Sequence, residues 1–457
     1  MHVISPFIKD NICALSTAQG LGAIAVIRIS GETSMAEFQT VFSKNILEAK
    51  THTAHFGKVM KGEKIIDEVL VTLLKGDKSF TGETTIEISC HGSPYIQKEI
   101  LNLLLRLDIR MAKPGEFTMR AFYNGKMDLS QAEAVADLIA SESEEAHKLA
   151  MHQMRGGFST EINGLREQLI NFASLIELEL DFSEEDVEFA DRQDLKDLVD
   201  KILVVSRSLA DSFSTGNVIK NGVPVAIIGA PNMGKSTLLN ALLNEDRAIV
   251  SDIAGTTRDT IEDSTIIDGI QFRFIDTAGI RETEDEIESL GIIRSWEKAK
   301  DARIVLYLFD KKEYSVEMIS ALQLEFSEKA GEHAHLIFVA NKSDLASVEQ
   351  VIESEHVLQI SALAGTGIED LKNHVVGLIK SGLASGNTIV TNSRHYEALI
   401  NASNSLAEVR EGLDNNITGD FLAIDIRKSL HHLGEITGEI TTDDLLGNIF
   451  SKFCIGK

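Results

Sequence analysis

Gly229-Ala230-Pro231-Asn232-Met233-Gly234-Lys235-Ser236 is the stretch that decides the fold. It fits the P-loop pattern GxxxxGK[ST], follows the apolar run VPVAIIG (223–229) and precedes the helical run TLLNALL (237–243). In a strand–loop–helix setting the backbone N–H groups from Asn232 and Met233 through Gly234 to Thr237 cradle phosphates. The Lys235 ammonium reaches the β- and γ-phosphates, and the Ser236 hydroxyl ligates Mg²⁺. Working outward, short β-rich runs recur at 264–267, 272–275, 303–309 (RIVLYLF), 335–340 (HLIFVA) and 357–361, most of them separated by helical segments. That alternation predicts a parallel sheet with crossover helices, a Ras-like α/β domain.

Three further elements follow in the order a GTPase needs. Asp276-Thr277-Ala278-Gly279 ends an apolar run; its carboxylate would hold Mg²⁺ through water, and Gly279 would place an N–H near the γ-phosphate. Asn341-Lys342-Ser343-Asp344 ends the next strong strand, where the Asp344 carboxylate can accept two hydrogen bonds from guanine N–H groups that adenine lacks. Ser361-Ala362-Leu363 ends the last strand and could offer a backbone N–H to the guanine oxygen. Each element alone also reads as an ordinary turn. All four in order, each at a strand's carboxyl end, point to GTP rather than ATP.

Between the P-loop and DTAG lies the loop Ser251-Asp252-Ile253-Ala254-Gly255-Thr256-Thr257, continuing into Arg258-Asp259. A hydroxyl here completes the Mg²⁺ shell beside the γ-phosphate, which makes this the switch loop; Thr257 is the first candidate and Thr256 the alternative. The residue after DTAG is Ile280, where the Ras pattern has Gln, and an isoleucine cannot orient water. Substitutes lie downstream among Arg281, Glu282, Glu284, Asp285, Glu286 and Glu288, most of which also read as a solvated acidic helix. Asn232, with carbonyls of the loop 251–256, could ligate a monovalent cation that replaces an arginine finger.

The rest of the chain places this domain. Its 457 residues suggest about three domains at ~150 each. Residues 1–119 read as mixed α/β, with strands at 23–29, 68–74 and 84–89 and a helix over 93–107. Residues 120–215 carry helical apolar periodicity over 121–139, 142–154, 161–180 and 195–213. The α/β run of 216–384 follows and ends at a Gly/Ser-rich stretch, 381–387; helices resume from Ser393 within the second helical part, 385–457. The simplest arrangement inserts the P-loop domain into one discontinuous all-α domain. With 44 Lys+Arg against 70 Asp+Glu the net charge is −26, which repels phosphate backbones and excludes a general nucleic-acid coat. Three cysteines without CxxC spacing exclude a disulfide framework and a zinc site, and fit a reducing compartment. No basic–apolar leader is visible, and no apolar run nears the ~18 residues of a membrane span, so a cytoplasmic protein is expected.

Over its whole length the chain resembles the tRNA-modification GTPases called MnmE or TrmE. The resemblance rests on AIAVIRISG (23–31), SFTGETTIEISCHGSP (79–94) and KPGEFTMRAFYNGKMDLSQAEAVADLI (113–139). It also rests on AGTTRD (254–259), DTAGIRETEDEIE (276–288) and the closing FCIGK (453–457). It implies an N-terminal α+β domain that binds 5-formyl- or 5,10-methylene-tetrahydrofolate and drives homodimerisation. Folate contacts are implied at Arg28, Glu87, Lys126 and Lys457, although Arg28 and Glu87 also read as a strand-to-strand ion pair. It implies a K⁺ site from the Asn232 side chain and the backbone of Ser251, Ile253 and Thr256, with Glu288 as the acid that orients water through a bridging water. Cys454 in the CxGK tail is implied to matter for the modification chemistry; its other reading is a small packed hydrophobe. The family often reads TPPG where this chain has Ser16-Thr17-Ala18-Gln19-Gly20, a turn without prolines.

The activity so implied is a K⁺-dependent GTPase. With an FAD-dependent MnmG (GidA)-type partner, in a heterotetramer, it would install an aminomethyl or carboxymethylaminomethyl group at carbon 5 of the wobble uridine of certain tRNAs. The rival expectation is a regulatory or ribosome-assembly GTPase switch with no covalent chemistry. The N-terminal segments and the tail favour the first.

Overall fold

The computed structural model describes residues 10–181, 192–244, 263–275, 300–310, 316–329, 334–345, 357–381 and 388–456. The chain divides into two compact units, one of residues 1–140, 150–204 and 398–457, the other of residues 141–149 and 205–397.

The first unit opens on a six-stranded sheet: β1 (Asn11–Leu15), β2 (Ile24–Ser30), β3 (Thr53–Lys61), β4 (Lys64–Leu74), β5 (Thr85–His91) and β6 (Ile109–Met111), in the order β3-β4-β5-β2-β1-β6. Only the β1–β6 pair is parallel. The strands alternate as the pleat demands. In β2, Ala25, Ile27 and Ile29 are buried and Arg28 turns to the other face; in β5, Ile86, Ile88 and Cys90 are buried and Glu87 turns away. Helices α1 (Ser34–Gln39) and α2 (Pro94–Leu104) cover the apolar face, placing Phe38, Ile100, Leu103 and Leu104 on Ile27, Val71 and Ile88. Each such side chain contributes about 1.5–3 kcal/mol on burial. Pro94 suits the first turn of α2, where its missing N–H costs nothing. Burial pushes the Cys90 thiol up to about 11 and Cys13 to about 12, so both are inert core residues.

The expected helix over 121–139 is two helices, α3 (Glu116–Tyr123) and α4 (Leu129–Ala140). Gly125, at φ +67°, breaks it, and the N–H groups of Gly125 and Lys126 close the end of α3 on Phe122 and Ala121. Then come α5 (Glu144–Met154), α6 (Gly157–Asp181) and α7 (Arg192–Asn221); the first two lie within a few residues of the periodic segments that predict them, and α7 runs past 195–213 up to the start of the next strand.

The second unit is built on a second six-stranded sheet of β7 (Val223–Gly229), β8 (Asp263–Ile267), β9 (Ile270–Phe274), β10 (Ile304–Asp310), β11 (His335–Asn341) and β12 (Val357–Gln359), ordered β12-β11-β10-β7-β9-β8. Five strands run parallel, as the alternation predicts. β8 departs from that expectation: it is antiparallel to β9 because only the two residues Asp268 and Gly269 join them, both at positive φ, and such a turn makes a hairpin. Strands β7, β10 and β11 are buried on both faces and read as continuous apolar runs. Helices α8 (Lys235–Asn244), α9 (Val316–Lys329) and α10 (Ile368–Ser381) flank them, with Leu238, Leu239, Leu371 and Val375 packed on Val225, Ile227 and Leu306. The segment 141–149 is tied to this unit by the Glu145 N–H on the Gly269 carbonyl (3.0 Å) and by Gln271 on Glu142 (2.7 Å).

The chain ends in α11 (Ser393–Asp414), α12 (Gly419–Thr437) and α13 (Asp443–Ser451); α12 lies along α6 in the first unit. Among the described residues no helix is long and apolar enough to cross a membrane.

Candidate functional site

The P-loop joins β7 to α8 at the carboxyl edge of the second sheet. Its shape is forced by close approach. A Cβ on Gly229 (φ +148°) would sit 2.3 Å from the Leu308 carbonyl oxygen of β10, and one on Gly234 (φ +91°) 2.4 Å from the Asn341 Nδ2. Only glycine fits either place. Asn232 is in the left-handed region at φ +62°, which an asparagine tolerates. Lys235 Nζ donates to the carbonyls of Gly229 and Ala230, both at 2.9 Å, so the ammonium is held over the loop. Burial there pushes its pKa down from the usual lysine value. A cation with part of its hydration removed, at the start of a helix, is suited to meet phosphate oxygens. Ser236 and Thr237 occupy the next positions of α8, and the Leu238 N–H closes the first turn on Gly234 (2.9 Å).

Asn341, the last residue of β11, joins three loops. Its Nδ2 donates to the Met233 carbonyl (2.8 Å) and its Oδ1 accepts the Ala362 N–H (3.0 Å). The Ala362 N–H is therefore engaged within the protein, as is the Ser361 N–H, which donates to the Thr366 carbonyl at 2.9 Å; both are backbone donors of the segment 361–363 expected to meet a guanine oxygen. Leu363, at the tip, is 85% exposed. Lys342 sits at φ +62° and its ammonium lies 3.4 Å from Asp310. Ser343 and Asp344 form the next turn, and Asp344 Oδ1 accepts the Ser361 hydroxyl at 2.6 Å. That bond fixes the carboxylate without using the oxygen Oδ2.

In the first unit the tail reaches the N-terminal sheet. Arg28 and Glu87 stand directly opposite on β2 and β5 and form an ion pair at 2.8 Å, through Arg28 Nε and Nη2 on one carboxylate oxygen. Arg28 Nη1 and the Ser16 hydroxyl both donate to the Gly456 carbonyl at 3.3 Å. The Arg28 guanidinium lies over the rings of Phe117 (5.6 Å) and Phe80 (6.0 Å). Lys126 is bound elsewhere on the same loop system, its Nζ on the Asp77 carbonyl at 2.5 Å. Cys454 is exposed, and its carbonyl accepts the Gly115 N–H. The structure thus joins Arg28, Glu87 and the tail, and gives Lys126 a separate partner. The contacts of Ser16 and Phe117 with this cluster have no local sequence signal; only the glycine of the tail, Gly456 at φ +96°, hints at a close approach.

Ser251, Asp252, Ile253, Ala254, Gly255, Thr256, Thr257, Asp276, Thr277, Ala278, Gly279, Glu288 and Lys457 lie outside the described residues.

A P-loop and an Asn-Lys-x-Asp turn, laced together at the carboxyl ends of parallel strands, define a P-loop GTP-binding protein. Two family models match the chain, the GTP-binding protein TrmE N-terminus over residues 11–126 and the MnmE helical domain over residues 129–454. The tRNA modification GTPase MnmE of Flavobacterium psychrophilum is 56% identical over 461 residues, covering 98% of this chain and 99% of that protein. The protein of the same name from Christiangramia forsetii is 55% identical over 472 residues, covering 98% and 100%. Among solved structures, the FeoB G-domain from Methanococcus jannaschii is 26% identical and covers 35% of this chain and 98% of its own, at a TM-score of 0.25. The chain belongs to the MnmE family of tRNA modification GTPases, and it is a GTP hydrolase.

Proposed function

We propose that this cytoplasmic protein is a K⁺-dependent GTPase acting as a homodimer. With an FAD-dependent MnmG-type partner, it uses GTP hydrolysis to drive addition of an aminomethyl or carboxymethylaminomethyl group to carbon 5 of a tRNA wobble uridine. The G domain, residues 216–384, interrupts a helical domain made of 120–215 and 385–457, and residues 1–119 bind a tetrahydrofolate one-carbon donor. The observation that carries the reading is the seating of the C-terminal tail on Arg28. It supports a second chemical centre far along the chain from the P-loop, which a simple switch GTPase does not need.

In the G domain, Lys235 and the N–H groups of the loop and first helical turn hold the β- and γ-phosphates, and Asp344 accepts the guanine N–H groups. The hydroxyls of Ser236 and Thr257 would hold Mg²⁺. The Asn232 side chain, with carbonyls of Ser251, Ile253 and Thr256, would hold K⁺. When bound, these cations offset the charge that builds on the transferring phosphoryl group. Glu288 orients the attacking water, the task Ile280 cannot perform. In the first unit an acid and cations suit a folate: Glu87 the donor edge of a pterin, and Arg28, Lys126 and Lys457 its carboxylates.

Steady-state GTP hydrolysis in KCl and in NaCl at equal ionic strength tests the switch. A rate about ten-fold or more higher in KCl is expected, since one tenfold step is only ~1.4 kcal/mol of barrier. Equal rates remove the K⁺ site and return Arg258 and Arg281 to consideration as arginine fingers.

The tail gives a separate test. A Cβ on Gly456 would lie 2.4 Å from the Leu15 carbonyl oxygen, at a φ that alanine resists. Gly456→Ala therefore unseats the tail from Ser16 and Arg28. The expected result is a tenfold or larger loss of tRNA modification in an assay with the partner, since small misplacements at a reacting centre cost that much. GTP hydrolysis should stay at the parent level. Parallel loss of both activities, or of neither, contradicts the role given to the tail.

A further inference from the structure

Asp310 belongs to none of the motifs that define the nucleotide site, yet it is the last residue of β10 and pairs in register with Asn341, the first residue of the Asn-Lys-Ser-Asp turn. Its carboxylate lies 3.4 Å from the ammonium of Lys342. Both side chains are partly sheltered, at 20% and 32% exposure, so the pair is less screened than a surface one. The left-handed backbone of Lys342 separates its side chain from that of Asn341, which turns to the P-loop, and Lys342 goes to β10.

The alternative partner for that ammonium is close in sequence. Asp344 is two residues on, in a turn closed by the Leu345 N–H on the Lys342 carbonyl at 3.0 Å. An ammonium resting on Asp344 would occupy the carboxylate that guanine needs. It would cancel the charge that strengthens the hydrogen bonds to the base. Asp344 is held in place from the other side by the Ser361 hydroxyl, which leaves its charge intact.

We propose that Asp310 is a positioning residue for guanine recognition: its ion pair with Lys342 keeps the lysine ammonium away from Asp344 and stretches the lysine stem along the edge of the base site. This deepens the assignment of Asp344 to guanine and rests on it.

The test compares GDP with inosine diphosphate (IDP), which lacks the 2-amino group and so loses one of the two hydrogen bonds to Asp344. The full chain should bind GDP about ten-fold or more tighter than IDP, the worth of one hydrogen bond to a charged group. If the parent does not distinguish the two, the Asp344 assignment itself fails, and the variants then have no preference to change. In Asp310→Asn the GDP-to-IDP preference should fall several-fold, with kcat at saturating GTP unchanged and KM raised. Asp310→Glu, which keeps the charge, should restore most of the preference. Lys342→Met removes the ammonium that Asp310 holds, so the preference should persist, and adding Asp310→Asn should not lower it further. GDP and IDP weakening in parallel in Asp310→Asn would mean a structural role only and would overturn the proposal. So would a loss of preference on adding Asp310→Asn to Lys342→Met.

Discussion

Asn341→Ala is expected to weaken GDP binding by about 100-fold, a cost of ~2.7 kcal/mol. Asn341 is buried, 4% exposed, and spends both ends of its amide inside the protein, on the Met233 carbonyl and the Ala362 N–H. Alanine supplies neither partner. Each orphaned buried group costs about 1–3 kcal/mol. The cost falls on the site rather than the core, because the two groups belong to the P-loop and to the loop after β12. Without the amide, the phosphate-binding and base-binding halves lose their shared anchor. GDP titration of the purified variant measures the loss. Affinity within three-fold of the parent would show that the two loops hold their positions independently.

That anchor also marks where sequence reading stops. The P-loop, its flanking strand and helix, and the Asn-Lys-Ser-Asp turn are local patterns, and each sits at the strand end where the spacing puts it. The bond from Asn341 to Met233 links residues 108 positions apart and depends on strand order, which no local pattern encodes. The first sheet shows the same limit. β2, β4 and β5 are legible from their β-branched runs. β3 is not, because Gly57 interrupts it, and Gly57 is there for a tertiary reason: a Cβ would sit 2.5 Å from the ring of Phe42. β1 and β6 are short and carry Asn and Arg, which have low strand propensity or none in particular. Their pairing is decided by the parallel crossover through α2. Arg28 and Glu87 are legible as a possible ion pair from charge alone. That they face each other directly is a matter of register, and that Gly456 joins them is a contact across 428 positions.

Arg120→Met is expected to destabilise the N-terminal sheet by about 3–5 kcal/mol, because it takes one guanidinium from the buried Glu116 and the largely sheltered Glu83, as well as from the exposed Asp10. Arg120 is fully buried. Its Nη2 meets Asp10 at 2.9 Å and Glu116 at 3.1 Å, and its Nη1 meets Glu83 at 3.1 Å. Methionine fills the volume and removes all three ion pairs. Hydrogen exchange of the β2 and β5 amides measures the loss within this unit without requiring the whole chain to unfold in one step. Acid gives a second readout with a defined sign. For Glu116, burial acts to raise the pKa, but the hydrogen bonds from Arg110, the Lys113 N–H and Arg120 outweigh it, and the value is lowered from the usual 4.5. A carboxylate with a lowered folded-state pKa contributes stability that is complete above its unfolded value and is lost as pH falls through the folded one. The parent should therefore lose protection below about pH 4.5. In Arg120→Met, Arg110 still holds Glu116, but one opposing cation is gone and burial weighs more heavily, so protonation relieves part of the damage. The gap between parent and variant should narrow on acidification. A constant gap from neutral pH to below 4 would mean that the lost packing of the arginine stem, and not its charge, is what the sheet requires.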